Sequence, residues 1–238
     1  MIRRIKACLN GGRTDPPVPV TPAQLADAAT GAVAAGAEAV HLHPRGPDGH
    51  ESLAAADVGA AVSAARRAGA PVGVSTGLWI TGGDVAARQR LVRGWAELDD
   101  RPDFASVNVG EEGYAGLVDT LTGLGVAVEA GVWTPAEADR AGDVSRILVE
   151  IIGTPAGAAV SAADAVLDRL HRLDLRVPVL LHGEDAACWP LVAHAGRLGL
   201  PTRIGFEDTL TFPDGSPAPD NAALVRRALA VWTAGQVQ

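Results

Sequence analysis

The sequence predicts a single (β/α)8 barrel, one catalytic domain over residues 1–238, and three observations carry that expectation. Short apolar runs alternate with Ala-rich helical segments, and strand starts recur at about 30 residues, giving about eight strand and helix pairs, the count and length of such a barrel. The chain is 47% hydrophobic but only 4% aromatic, so its core is built from Ala, Val, Leu and Ile, which suits short buried strands covered by helices. Nearly every candidate strand also ends in a hydrogen-bonding or ionisable side chain, as a barrel with its site at the C-terminal strand ends requires. An open doubly wound sheet is the alternative. Against it, the turn Asn10-Gly11-Gly12-Arg13-Thr14 lacks GxGxxG, and no Walker glycine loop with Lys occurs.

In chain order, residues 4–9 form the first strand and Asn10-Gly11-Gly12 turns the chain after it. Thr21-Pro22-Ala23-Gln24 opens the first helix with a capping Thr, a Pro in the first turn and Gln three residues after the cap; Gly36 closes it. The second strand reads Ala39-Val40-His41-Leu42-His43, and Pro44 ends its hydrogen-bonding ladder. Helix 51–67 with Gly69 as stop, strand 71–75, helix 84–95, strand 104–108, helix 114–124 and strand 126–129 follow. Thr134-Pro135-Ala136-Glu137 repeats the cap signature before strand 146–151, helix 162–173, strand 177–182, helix 189–198, strand 202–206 and helix 221–232. No linker, low-complexity run or charge block divides the pattern.

A net charge of -8, with basic residues spread along the chain, disfavours nucleic acid or an anionic membrane as partner. No apolar run approaches the ~20 residues of a membrane span, and the N-terminus lacks a signal pattern, so a cytoplasmic location is expected. Cys8 and Cys188 are far apart in apolar surroundings, which suggests neither a disulfide framework nor a thiolate metal site. Any metal must use His and carboxylate.

Residues two apart on a strand point to the same side, so His41 and His43 present two imidazoles together, a usual way to offer a metal two nitrogens. The other strand ends collect Asn10, Ser75, Asn108, Glu129, Glu150, His182 with Glu184, and Glu207 with Asp208. Glu207 is the chosen third ligand, because strands one, two and eight are neighbours in a closed barrel; Glu129 and His182 are rivals. Arg203 lies one strand period before the end of strand eight, where a buried Arg and Asp208 hold each other charged. Ser75-Thr76-Gly77 and Asn108-Val109-Gly110 offer donors suited to a carboxylate or phosphate. No GxSxG elbow surrounds Ser75, which argues against a hydrolase nucleophile. Trp79 and Trp133 follow strands and are candidates to wall the pocket. His50, His171 and His194 are taken as surface or packing residues.

The stretches Asn10-Gly11-Gly12-Arg13-Thr14, Thr21-Pro22, Val40-His41-Leu42-His43-Pro44-Arg45 with Asp48-Gly49, and Arg203-Ile204-Gly205-Phe206-Glu207-Asp208-Thr209-Leu210 resemble, in the same order, the β-keto acid cleavage enzymes. The resemblance implies a zinc-dependent (β/α)8 enzyme, one Zn2+ per chain, that condenses a β-keto acid with acetyl-CoA and releases acetoacetate and a new CoA ester. By position it makes His41, His43 and Glu207 the zinc ligands, Asp208 the acid/base residue and Arg203 its charged partner. Ser75 and Asn108 fall where the family holds the substrate carboxylate and keto group, Glu129 matches a pocket glutamate, and Asn10 and Arg13 face the substrate from the first turn. A homo-oligomer, dimer or tetramer, is expected.

Three features depart from the family pattern. Members with an amino-bearing substrate carry an acid where Arg13 stands. Strand seven ends in Leu181-His182-Gly183-Glu184 instead of a glycine-rich turn, and a shorter chain implies a trimmed loop for CoA. The alternatives are a zinc aldolase or hydrolase, active without a CoA thioester, and a barrel that binds metal or keto acid without turnover.

Overall fold

Strands too short to stand alone, and buried along most of their length, must be covered on every side, and this chain covers them by closing the sheet on itself. The computed structural model describes residues 2–14 and 16–237. Its elements alternate as β1 (Ile5–Cys8), α1 (Pro22–Ala34), β2 (Ala39–Leu42), α2 (Ala55–Arg66), β3 (Val72–Ser75), α3 (Val85–Arg93), β4 (Phe104–Asn108) and α4 (Tyr114–Gly123). The second half continues with β5 (Ala127–Val132), α5 (Pro135–Ala138), β6 (Arg146–Ile151), α6 (Ala156–Arg172), β7 (Val179–Gly183), α7 (Cys188–Leu198), β8 (Thr202–Ile204) and α8 (Asn221–Gly235).

All pairings are parallel, in the order β7-β6-β5-β4-β3-β2-β1-β8. The two ends of that order meet where Leu181 N donates to Pro201 O at 3.0 Å, so the molecule is a nearly closed (β/α)8 barrel. The register places Cys8 opposite His41 and Lys6 opposite Arg203. This brings the ends of β8, β1 and β2 side by side, as the sequence argument requires.

Local chemistry starts and ends the helices. Thr21 and Gln24 form the expected capping box, with Thr21 N donating to Gln24 Oε1 at 3.0 Å, and Asp220 caps α8 by accepting from Ala223 N at 2.6 Å. Such caps contribute about 1 kcal/mol each. The helices turn small apolar residues inward, Leu25, Ala29 and Ala32 from α1 and Leu224, Val225 and Ala228 from α8, so the low-aromatic composition becomes a finely divided core. Among the described residues, no helix is long and apolar enough to cross a membrane.

Several boundaries differ from expectation, strand eight for instance ending at Ile204 and not at 206, and three differences stand out. Residues 45–51 form a small hairpin, bridged at Arg45 and Glu51, so α2 starts at Ala55 and not at 51. Helix α6 begins at Ala156, ahead of the expected 162, because an Ala/Gly-rich first turn carries little apolar periodicity. Strand β5 runs three residues past Glu129 to Val132, with consequences for the site.

Candidate active site

At the C-terminal ends of β1, β2 and β8, three side chains converge. The main chain of His43, just past β2, is clamped by Asn10: Asn10 Nδ2 donates to His43 O at 2.9 Å, and His43 N donates to Asn10 Oδ1 at 2.8 Å. Glu207 arrives from the turn after β8, and two glycines make room for it. A Cβ on Gly205 would lie 1.9 Å from the carbonyl oxygen of Cys8. Gly11 has φ +56°, and a Cβ there would lie 2.6 Å from Glu207 Cγ.

Glu207 Oε2 then lies 3.7 Å from His41 Nε2, and Glu207 Oε1 lies 3.5 Å from His43 Nε2. One ligand atom from each of the three residues lies within 4.8 Å of the others. A tetrahedral zinc with bonds of about 2.1 Å holds its donors about 3.4 Å apart, so the spacing fits such an ion. The chemistry fits too: two imidazoles and a carboxylate are a catalytic zinc set, and among the described residues buried Glu207 Oε2 has no hydrogen-bond partner. Burial holds the His41 imidazole well below its ordinary range. Burial works the same way on His43, but the Glu207 and Glu51 carboxylates outweigh it and push His43 up to about 9. Burial would raise Glu207, yet the Arg203 and His43 charges hold it well below the usual carboxylate range.

Neither rival ligand joins this group. His182 lies between Glu150 Oε1, 3.5 Å from Nε2, and Asp208 Oδ1, 3.7 Å from Nδ1, and burial pushes its imidazole down to about 4. Glu129 requires a correction. Because β5 continues to Val132, Glu129 is a mid-strand residue, and its carboxylate is held by Lys6 Nζ at 2.6 Å and Arg146 Nη1 at 2.5 Å. It borders a hollow with Ile2, Glu38 and Pro71 at the N-terminal ends of the strands, away from the metal-type group. It is neither ligand nor pocket glutamate. Asn10 is also reassigned, since both ends of its amide are taken by the main chain of His43.

Arg203, buried on β8, joins three carboxylates. Its Nε donates to Asp208 Oδ1 at 2.8 Å, and its Nη2 lies 2.9 Å from Glu207 Oε1 and 3.3 Å from Glu184 Oε1. Asp208 is wholly buried behind this guanidinium and does not line the cleft; among the described residues its Oδ2 has no partner. Burial raises its carboxyl well above the usual range, with the Glu207 charge adding to the effect and Arg203 opposing it.

The metal-type group opens into a cleft of about 370 Å³. Its walls include Ser75, Ser106, Asn108, Glu150, Glu184 and Arg203, with Trp79 and Trp133 at the sides. Ser75 and Asn108 both border this cleft. Both indoles are about half exposed, at 50% and 43%, and line this cleft instead of the core. Arg13 borders the cleft with its Nη2 2.6 Å from Asp185 Oδ1, so this cation already has a partner. Glu184 reaches the cleft as well. Burial pushes its carboxyl up to about 7, with Glu207, Glu150 and Asp185 adding to the effect and Arg203 opposing it.

Glu51 is the residue that sequence reasoning missed. Its Oε1 contacts His43 Nδ1, and its Oε2 accepts from Trp79 Nε1 at 3.0 Å. The residue was assigned to a helix, which turns it away from the site. The signal present in the sequence is an acid shortly after the His pair, since ligand imidazoles commonly give their second N–H to a carboxylate.

The profile of the beta-keto acid cleavage enzyme family matches residues 4–121 and 147–237. The match includes the His pair, Arg203, Glu207 and Asp208 and leaves out the segment that holds Glu129. Among solved structures, the binary complex of ObcA with oxaloacetate aligns with TM-score 0.69 at 20% identity, over 89% of this chain and 63% of that one. The chain thus spans less than two thirds of the ObcA chain. Type I 3-dehydroquinate dehydratase from Clostridium difficile aligns with TM-score 0.69 at 10% identity, over 100% of this chain and 93% of that one. Thiamine phosphate pyrophosphorylase from Pyrococcus furiosus aligns with TM-score 0.58 at 11% identity, over 98% and 96%. At these identities the structural likeness speaks for the barrel alone.

Proposed function

The chain belongs to the β-keto acid cleavage enzyme family, and from that premise we propose that it is a zinc-dependent acyltransferase that condenses a β-keto acid with acetyl-CoA to give acetoacetate and a new CoA ester. The observation that carries the proposal is the His41, His43 and Glu207 group, spaced for one tetrahedral ion, beside a cleft that also presents Arg203, Ser75 and Asn108.

His41, His43 and Glu207 would hold the ion, which when bound supplies Lewis-acid polarisation of a substrate ketone. Ser75 and Asn108 hold the substrate carboxylate and keto group by hydrogen bonds. Asp208, oriented by Arg203 and with an Oδ2 unpartnered among the described residues, takes up the proton from the carbon between ketone and carboxylate by way of Arg203, the member of the pair that lines the cleft. That carbon forms a bond to the thioester carbonyl and CoA leaves as thiolate. The thiolate then attacks the original ketone carbon and the older carbon–carbon bond breaks, giving the new CoA ester. The acetoacetate carbon regains the proton from Asp208, so protons balance over the cycle.

A panel of β-keto acids offered with acetyl-CoA, with mass detection of new CoA esters, tests the activity. Products are expected with zinc and none after chelation; cleavage that needs no thioester indicates the aldolase or hydrolase class. Asp208→Asn is expected to keep zinc and lose about 100- to 10,000-fold in turnover. A second reading rests on Glu184, which faces the cleft where Asp208 does not and has a proton affinity suited to neutral pH. If Glu184→Gln abolishes turnover and Asp208→Asn loses less than threefold, the proton belongs to Glu184.

A further inference from the structure

Glu51 makes two contacts that only a carboxylate can satisfy together. One oxygen meets His43 Nδ1; the other accepts the indole N–H of Trp79 at 3.0 Å. The two partners also lie in a loose stack, with ring centroids 6.4 Å apart and planes 26° apart. Gly77 makes this possible, because a Cβ there would lie 2.1 Å from the Trp79 ring. The hairpin bridged at Arg45 and Glu51 fixes the carboxylate from outside. One side of the unit faces Glu207 through His43 Nε2, and the other faces the cleft as the half-exposed indole.

We propose that Glu51 is a positioning residue that locks the His43 imidazole and the Trp79 indole into one unit, so that the same carboxylate sets the metal site and the adjoining cleft wall. The role rests on the zinc reading above. With Nδ1–H given to Glu51, Nε2, the nitrogen that faces Glu207, is the one left for a metal. The indole N–H occupies the second oxygen and keeps the carboxylate from turning away. Glutamine has one acceptor oxygen and one donor nitrogen, so at position 51 it cannot accept from both rings. Either the indole loses its partner, or the amide N–H faces Nδ1 and forces the ring proton onto Nε2, where it blocks the metal.

Zinc affinity, measured by competition with a chelating dye, tests the assignment in Glu51→Gln. Zinc binding is expected to weaken 10- to 100-fold with an unchanged circular dichroism spectrum, the range that outer carboxylates of this kind command. The second arm leaves Glu51 in place: zinc should change the tryptophan emission of the wild type, and Trp79→Phe should remove most of that change, because Trp79 stacks on a ligand ring. Wild-type uptake of zinc with Glu51→Gln within threefold overturns this role alone, and a zinc-dependent emission change that survives Trp79→Phe overturns the link to the cleft. A wild type that takes up no zinc removes both this role and the zinc enzyme.

Discussion

Arg13 is the residue on which the proposed substrate preference turns. Its guanidinium borders the cleft and is paired with Asp185, which is largely exposed, so a substrate carboxylate has only to displace a solvated partner. Wild type is expected to prefer a 3-keto dicarboxylate over a 3-keto-5-amino acid, and Arg13→Glu to reverse the order. A charge-assisted contact of ~1.5 to 3 kcal/mol corresponds to roughly a ten- to hundredfold change in kcat/KM. An unchanged preference in Arg13→Glu removes Arg13 from substrate selection. Glu184 gives a second test, in stability. Its folded pKa, about 7, lies above the ordinary 4.5, so the folded chain binds this proton more tightly than the unfolded chain. The contribution is fully present below pH 4.5 and is lost as pH rises through 7. Urea titrations of the metal-free protein should show wild type losing more stability than Glu184→Gln between pH 5 and pH 8; parallel curves contradict the shift. Residues whose spacing fixes their direction were legible in the sequence, as with His41 and His43. Asp208 and Glu51 were less so, because which face of a turn a side chain takes depends on partners such as Arg203 and Trp79 that sequence does not place.

At the scale of elements, approach distances between strand ends decide the site. The turn after β8 passes the end of β1 so closely that a Cβ on Gly205 would lie 1.9 Å from a main-chain oxygen, which cannot rotate aside. Gly205→Ala should therefore displace Glu207 and destabilise the fold, by about 1 to 3 kcal/mol or more as for other forced overpacking. Thermal melting and zinc uptake measured together check this; an alanine variant with wild-type melting temperature and zinc affinity contradicts the packing argument. Strand β5 shows where pattern reading stops. Residues 126–132 are apolar save for Glu129, and an acid in an apolar run reads as a strand end. Lys6 on β1 and Arg146 on β6 neutralise it inside the barrel, so the strand continues. Those partners are distant in sequence, and nothing local announces them. Residues 45–51 are a comparable case, a hairpin whose final Glu read as the start of a helix.

For the whole molecule, the eightfold alternation was plain because each strand is a short buried run and each helix carries Gly, Pro or capping punctuation. Barrel closure then follows, and closure makes β8 a neighbour of β1, so residues 41 and 207 can share one ion. Substrate identity was less legible, because what wall residues such as Ser75, Asn108 and Arg203 can hold depends on the shape of the cleft between them, which spacing along the chain does not give. The central claim, acyl exchange on this barrel, predicts the fate of every carbon. The zinc-loaded enzyme is to be given an unlabelled β-keto acid and acetyl-CoA carrying 13C at both acetyl carbons. Mass and carbon spectra should show acetoacetate labelled in its ketone carbon and methyl group only, together with an unlabelled new CoA ester. Unlabelled acetoacetate, label in the new ester, or keto acid cleavage that proceeds without acetyl-CoA would contradict the account.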